Sequence, residues 1–456
     1  MANESSQVSN SKKLGFLSIL FLGVNVIIGS GIFLMPGQVY AMVGVGSIIV
    51  VGLLLFLVLS IALCFGECAS KFSQNGSAFL YSKEAFGGFV GFEVGLFTWI
   101  IAIISWVAET EGVLTAIGTI WPIMKEEGIV NTVSSVLFIL IGLVNYFSIN
   151  SSKWLMNLTT IAKLLPLIFF IVIGIVYLNV DNFSPIFPVD KTHAELENDF
   201  GRAMILLFYA FAGFDMIPVA AQDMKNPTKN IPRVITTIII FCGIFYGLIV
   251  MGCIGILGKD LYGSTAPIAQ ATGKIFGEIG FSIITAFMII SIAGAAIAYS
   301  FVAPRSGQAL AAQGLLPPQL GKLNKFGTPG IAVIISTVIA IMLSWSGGFI
   351  FLAGLSVVAR FVQYIPTAIA VLIFRRRKDL PRGYRIPFGP FIPILAVGVT
   401  IWLITQAEPK KLVMGGVGLV IGAILYLAHL FLQKRLKLKA DDNASVNIFS
   451  DPDNQE

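Results

Sequence analysis

Five ionisable side chains stand inside long runs of apolar sequence: Glu109, Glu111, Lys163, Asp215 and Arg360. Their types suggest different chemistry. A lysine held in an apolar interior can lose and regain a proton as its surroundings change. A carboxylate there can relay a proton, pair with a cation or attract a cationic substrate, and the planar guanidinium fork of arginine fits a carboxylate. Lys163 lies about nine residues from the nearer end of its run, which at 1.5 Å per residue is ~14 Å, close to the middle of a bilayer. A charge at that depth costs roughly 2.5–3.5 kcal/mol on insertion scales, so each such residue is by default a functional candidate. Each also has a plainer explanation. Lys163 could be the structural partner of a carboxylate or of carbonyls in the first apolar segment. Arg360 could pair internally with Asp215, Glu109 or Glu111 instead of meeting a substrate, and Asp215 could simply hold the sixth segment.

Helix breakers at mid-run are the second signal. Gly29-Ser30-Gly31 interrupts the first apolar segment, and Ala210-Phe211-Ala212-Gly213 interrupts the sixth. In hydrocarbon every backbone N–H and C=O must be satisfied internally, so a break at this depth needs a purpose. Unwinding frees N–H groups at the start of one half-helix, which suit a carboxylate. It also frees C=O groups at the end of the other, which suit an ammonium. Paired interruptions in corresponding places of two halves point to an inverted-repeat transporter. Gly29-Ser30-Gly31 taken alone also fits a small-residue packing face between membrane helices. The matching break in the sixth segment favours unwinding.

The elements that must position these residues are membrane spans. Hydrophobic residues make up 56% of the 456-residue chain and charged residues only 12%, against about 25% charged in an ordinary soluble protein. No soluble surface can be built from so few charges. The stretch Ser47–Gly66 is uncharged throughout, and its length of about 20 residues matches a crossing of ~30 Å of hydrocarbon. Hydropathy with glycine, proline and charge breaks predicts an all-α integral membrane protein with twelve transmembrane helices. They lie at about 14–36, 41–66, 86–119, 129–148, 154–179, 200–221, 232–257, 278–312, 329–346, 348–374, 389–407 and 411–433. The third and eighth exceed a perpendicular span and are expected to tilt or to extend past the bilayer.

Lysine and arginine set the orientation. With the N-terminus inside, 21 of the 30 fall on the cytoplasmic face, including the cluster Arg375, Arg376, Arg377, Lys378, Arg382 and Arg385. That is a positive-inside pattern with both termini cytoplasmic. The net charge of +6 therefore reflects topology, and no nucleic-acid partner is expected. The polar N-terminal tail (1–13) lacks a cleavable-signal pattern, so the first segment is expected to be retained. The C-terminal tail (434–456) turns from KRLKLK to acidic and polar sequence and is expected to be disordered. Cys64, Cys68, Cys242 and Cys253 read as small core hydrophobes. With two histidines, no zinc spacing and no phosphate-binding glycine loop, no metal, cofactor or ATP chemistry is expected.

Three stretches together resemble the amino acid–polyamine–organocation (APC) permeases. GVNVIIGSGIFLMPG (23–37) resembles their first helix, FYAFAGFDMIPVAAQDMKNPTKNIPRVI (208–235) their sixth helix with the loop after it, and APRSGQALAAQGLLP (303–317) the end of their eighth. The resemblance spans nearly the whole hydrophobic region in order and spacing. The sequence departs from the family at Gln222 and Gln313, where an acidic residue is common. The resemblance implies a LeuT-type fold: inverted five-helix repeats at about 14–179 and 200–374, with helices one and six broken, and two peripheral helices at about 389–433. It implies a central α-amino-acid site with Ser30, Gly31 and Ile32 at the substrate carboxylate and Gly29 beside them. The carbonyls of Ile27, Tyr209 and Ala212 would receive the ammonium, with Phe208 close by and Tyr209 closing over the substrate. Phe211 and Phe214 read equally well as site or core contacts.

In proton-coupled members a fifth-helix lysine occupies the place where sodium-coupled relatives bind Na⁺, and Lys163 resembles it. Asp215 matches an acidic position with a coupling or gating role. Arg360 resembles an arginine at similar depth in some members that carry acidic amino acids. The expected function is therefore secondary active transport of α-amino acids across the cell membrane by alternating access, as proton symport, with a lean to glutamate and aspartate. The expected partners are the amino acid, protons and the lipid bilayer. An amino acid exchanger, or a proton symporter of neutral or cationic amino acids, would show the same motifs. Lys163 argues against sodium coupling, the broken helices argue against a channel, and the scarcity of histidine and other convergent catalytic groups argues against a membrane enzyme.

Overall fold

A computed structural model of the chain describes residues 13–74, 76–147 and 153–449, less the side chains at 125, 153–162, 220, 222, 223 and 432–449. The polar N-terminal tail, the side chain of Gln222 and residues 450–456 lie outside that description. Every described element is helical; the one β-type contact among them is an isolated bridge between Leu14 and Met224. Apolar runs with satisfied i to i−4 backbone bonds are what a hydrocarbon solvent permits.

In chain order the helices that matter here are α1 (Phe16–Ile27), α2 (Ser30–Leu34), α3 (Pro36–Val43), α4 (Ser47–Ala69), α5 (Ser77–Phe86), α6 (Gly88–Ile117) and α7 (Glu127–Tyr146). They continue with α8 (Lys153–Val176), α9 (His193–Phe211), α10 (Pro227–Leu257), α11 (Pro267–Ala312), α12 (Gly330–Ser344), α13 (Phe349–Arg376), α14 (Phe391–Thr405) and α15 (Pro409–Phe449). Among the described residues, seven helical stretches are long and apolar enough to cross a membrane, and four shorter apolar helices accompany them. Proline at the first turn starts α3, α10 and α11, where its missing N–H is no loss.

Burial separates centre from periphery. The most apolar window of α6 is 89% buried, against 17% in α7 and 6% in α15. Helix α6 is thus the central post, with α11 and α13 packed along it, while the 409–431 part of α15 shows most of its surface outward. At 30 residues α6 is ~45 Å long, well beyond ~30 Å of hydrocarbon, in line with the expected tilt or extension.

Glycines cut the long runs. Gly87 has φ 87° and separates α5 from α6; Gly277 has φ 66° and divides α11 just where the eighth span was expected to begin. Both sit in the left-handed region, which side chains other than glycine rarely adopt. At the C-terminus α15 continues as helix to Phe449, through sequence whose composition suggested disorder. Alanine, leucine and lysine favour a helical backbone there, and no glycine or proline stops it before Pro452.

Candidate functional site

Two helix breaks form the candidate site, and side chains from four surrounding helices converge on them. Helix α1 ends at Ile27. Ile28 (φ −80°, ψ 97°) and Gly29 (φ −128°, ψ −149°) are extended, and helix resumes at Ser30. Helix α9 ends at Phe211. Ala212 is extended, Gly213 has φ 115°, and a 3-10 segment runs on from Phe214 to Asp223. The two breaks lie side by side. A Cβ placed on Gly31 would come within 2.7 Å of the Ala210 Cα, so only glycine allows this approach. Tyr246 on α10 ties the breaks together, its hydroxyl donating to the Ala210 carbonyl at 2.9 Å and lying 3.5 Å from that of Ile27.

Lys163 and Glu109 serve the first break. The Lys163 ammonium, fully buried, donates to the carbonyls of Asn25 and Ile28, both at 3.0 Å. The structure thus places it on first-helix carbonyls, the plainer of its two sequence readings. Glu109, from α6, accepts from the Ser30 N–H at 2.9 Å and from the Tyr209 hydroxyl at 2.9 Å. Ser30, Gly31, Ile32, Tyr209 and Ala212 all line this buried junction. The Tyr209 carbonyl already accepts the Ala212 N–H at 3.0 Å, which leaves it one further lone pair.

Asp215 and Arg360 serve the second break. Asp215 accepts from the Gly213 N–H (3.1 Å), the Gln363 amide (2.7 Å) and the Tyr364 hydroxyl (3.3 Å), and its Oδ1 lies 3.5 Å from Arg360 Nε. The guanidinium also donates to Ser356 and, at 3.2 Å, to the Ser105 hydroxyl. Of the three counter-charges considered for Arg360, Asp215 is the one it meets. Glu111 lies a half-turn along α6 from Glu109 and interacts with Ser134 on α7.

The aromatic candidates divide between core and site. Phe208 packs on Phe361 and Tyr364, Phe211 on Tyr246, and Phe214 on Phe65 and Tyr364; all three are fully buried. Tyr209 meets Phe349 edge-on at 6.0 Å. Phe349 belongs to the wall of a cavity of about 410 Å³, lined also by Leu34, Gln38, Thr115, Phe351, Glu408 and Lys411. At the other end, Leu14 pairs with Met224 and its carbonyl accepts the Lys225 N–H at 2.8 Å, which closes the start of α1 onto the end of the 3-10 segment. Gln313 accepts weakly from Lys83 at 3.5 Å. Among the described residues, no group of three His, Cys, Asp or Glu side chains is placed to hold a metal ion.

Residues 14–428 match the family model described as amino acid permease. The chain belongs to the amino acid permease family. An uncharacterized transporter of Mycobacterium tuberculosis is 30% identical over 437 residues, covering 89% of this permease and 90% of that protein. The branched-chain amino acid permease BcaP of Lactococcus lactis is 26% identical over 434 residues, covering 90% and 92%. The serine/threonine exchanger SteT of Bacillus subtilis is 27% identical over 436 residues, covering 93% and 97%. The permease is thus a multi-pass membrane transporter of the APC superfamily.

Several residues of the permease's site escaped the sequence reading. Gln363 and Tyr364 follow Arg360 at i+3 and i+4, one face of a helix, and that spacing could have revealed them. Tyr246 had no such signal. It is a tyrosine in an apolar run whose importance depends on which carbonyls come within reach. The bidentate pair of Arg375 with Glu67, at 2.7 and 2.6 Å, was equally hidden, because its partners are about 300 residues apart.

Proposed function

We propose that this permease carries α-amino acids across the cell membrane by alternating access, coupled to protons, with both termini cytoplasmic. One observation carries the reading. The two breaks lie against each other, and a buried lysine from the fifth expected span is bound to carbonyls of the first. Adjacent unwound backbones provide N–H groups for a carboxylate and C=O groups for an ammonium, the two groups that every α-amino acid shares. Ser30, Gly31 and Ile32 take the carboxylate. The carbonyls of Ile27, Tyr209 and Ala212 take the ammonium.

The twelve-helix LeuT-type arrangement is supported by a repeated pattern. Helix α4 is followed by the short α5, a left-handed Gly87 and the long α6. Helix α10 is followed by the short helical stretch 267–276, a left-handed Gly277 and the remainder of α11. Two such units in succession are what two five-helix repeats produce. Lys163 serves proton coupling in this reading: an ammonium in this interior is held only by two carbonyls and the facing charge of Glu109.

The charge balance favours neutral amino acids. Arg360 faces Asp215, Lys163 faces Glu109 and the buried Lys411 pairs with Glu408 at 3.1 Å, so none of these three cations is left free for a side-chain carboxylate. A lean to glutamate and aspartate requires Arg360 to leave Asp215. Exchange in place of proton symport is the second reading, favoured by the likeness to a serine/threonine exchanger. A radiolabelled uptake screen of the twenty amino acids in proteoliposomes, at two external pH values, tests the proposal. Neutral amino acids should accumulate more strongly with acid outside. Counter-flow with no response to a pH gradient would assign exchange, and no uptake of any amino acid would refute the reading.

A further inference from the structure

We propose that Glu109 is a built-in stand-in for the substrate's carboxylate: it holds the donors to which that carboxylate binds, and substrate binds by displacing it. The proposal rests on the reading that α-amino acids bind at the paired breaks. The Ser30 N–H and the Tyr209 hydroxyl are the groups that should receive and enclose the substrate's carboxylate. Both donate to Glu109, each at 2.9 Å. Gly29 fits the same picture. A Cβ there would collide with Glu109 Oε1, and its φ of −128° does not itself require glycine. The missing side chain makes room for the Glu109 carboxylate against the backbone.

One N–H and one O–H cannot fully serve two carboxylates, since each supplies a single hydrogen. Two carboxylates sharing these donors would also repel. Glu109 must therefore yield. The ionisable groups facing it are Lys163 from α8, Tyr209 from α9, Tyr246 from α10 and Tyr299 from α11. Arg360 on α13 is engaged by Asp215, and Glu111 interacts with Ser134. Lys163 is thus the nearest cation, and its ammonium is held by the Asn25 and Ile28 carbonyls. A carboxylate released from its donors in this apolar interior is too costly to keep charged. Its displacement draws one proton from the outer solution. The proton crosses with the substrate and passes to the inner solution when Glu109 regains Ser30 and Tyr209. A carboxylate that only braced the broken helix would show no such exchange.

The test is calorimetric titration of the purified full-length permease with L-alanine, in buffers of different ionisation enthalpy, for wild type, Glu109→Gln and Glu109→Asp. The remaining amino acids are screened if alanine gives no heat. Wild type should take up about one proton per substrate bound. Glu109→Gln keeps the shape but competes as a neutral acceptor, whose hydrogen bonds are about half as strong. It should bind alanine roughly tenfold tighter, with no proton uptake. Glu109→Asp is too short to reach both donors, so it too should bind tighter while still taking up a proton. It also decides the matter if the Gln variant does not fold. Weaker binding in both variants, or a proton count unchanged by Glu109→Gln, overturns the displacement and leaves the transport reading standing. A wild-type protein that binds none of the twenty amino acids overturns both.

Discussion

Glu109 and Asp215 are both buried carboxylates beside a broken helix, and they are held in different ways. Asp215 sits among three hydrogen-bond donors and a guanidinium, with Gln363, Tyr364 and Arg360 supplied by one helix, α13. Each carboxylate accepts one backbone N–H from its own break, Gly213 for Asp215 and Ser30 for Glu109, but Glu109 has only the Tyr209 hydroxyl besides. Lys163, its facing cation, is likewise bound to backbone carbonyls of the first segment. A carboxylate surrounded by donors from a rigid helix is fixed, because any movement strands several buried polar groups at once. A carboxylate held by the unwound chain moves when that chain moves. The second break is therefore the anchored one, and in the function proposed above the first is where substrate and proton exchange places.

The largest effect should come from attacking the anchored side. Arg360→Leu leaves Asp215 buried without its counter-charge, and removing one partner of a buried pair costs about 3–5 kcal/mol. We expect lower thermal stability in detergent and a loss of transport that is equal for alanine and glutamate. A loss confined to glutamate would reassign Arg360 to the substrate and erase the contrast between the two sides. Next comes the contact between the breaks. Gly31→Leu drives a side chain into the Ala210 backbone, 2.7 Å from its Cα. Overpacking of this kind costs about 1–3 kcal/mol, and substrate binding should vanish in calorimetry while the protein still purifies as a single species.

The smallest effect lies outside the membrane and serves as a control. At the start of α9, Thr192 and Glu195 form a reciprocal cap, with the Thr192 N–H donating to Glu195 at 2.9 Å. That bond, and the one from the Thr192 hydroxyl, hold the exposed Glu195 carboxyl below its ordinary range. A carboxyl depressed in the folded state stabilises above its unfolded pKa, and the benefit disappears as pH falls through the folded value. Glu195→Gln should slightly lower the melting temperature at neutral pH and leave it unchanged in acid. Transport should not respond. If its pH profile shifted as well, pH effects in this permease would not be specific to the first break.

What could be read from sequence was local, and what was hidden was tertiary. Gly29, Gly31 and Gly213 announced the breaks because glycine at mid-span leaves a helix unsupported. Lys163 and Arg360 stood out because charge is rare there. Their partners were another matter. Nothing in the order of residues places Glu109 on Ser30, a separation of 79 positions, nor distinguishes it from Glu111 two residues on. That choice depends on the rotation of α6 against the first break. The same holds for Tyr246. Span ends were legible where glycine or proline set them, as at Gly277. The short α5 was not, since ten residues are too few for a hydropathy window to separate from the long run after it.

The claim that the first break handles the proton is tested most directly at Lys163. Proteoliposomes carrying wild type or Lys163→Ala are loaded with unlabelled substrate for counter-flow, or left unloaded under an inward proton gradient, and uptake of labelled substrate is followed. The account predicts that Lys163→Ala retains counter-flow but no longer concentrates substrate in response to the gradient. Accumulation at the wild-type level with an unchanged pH profile would contradict it.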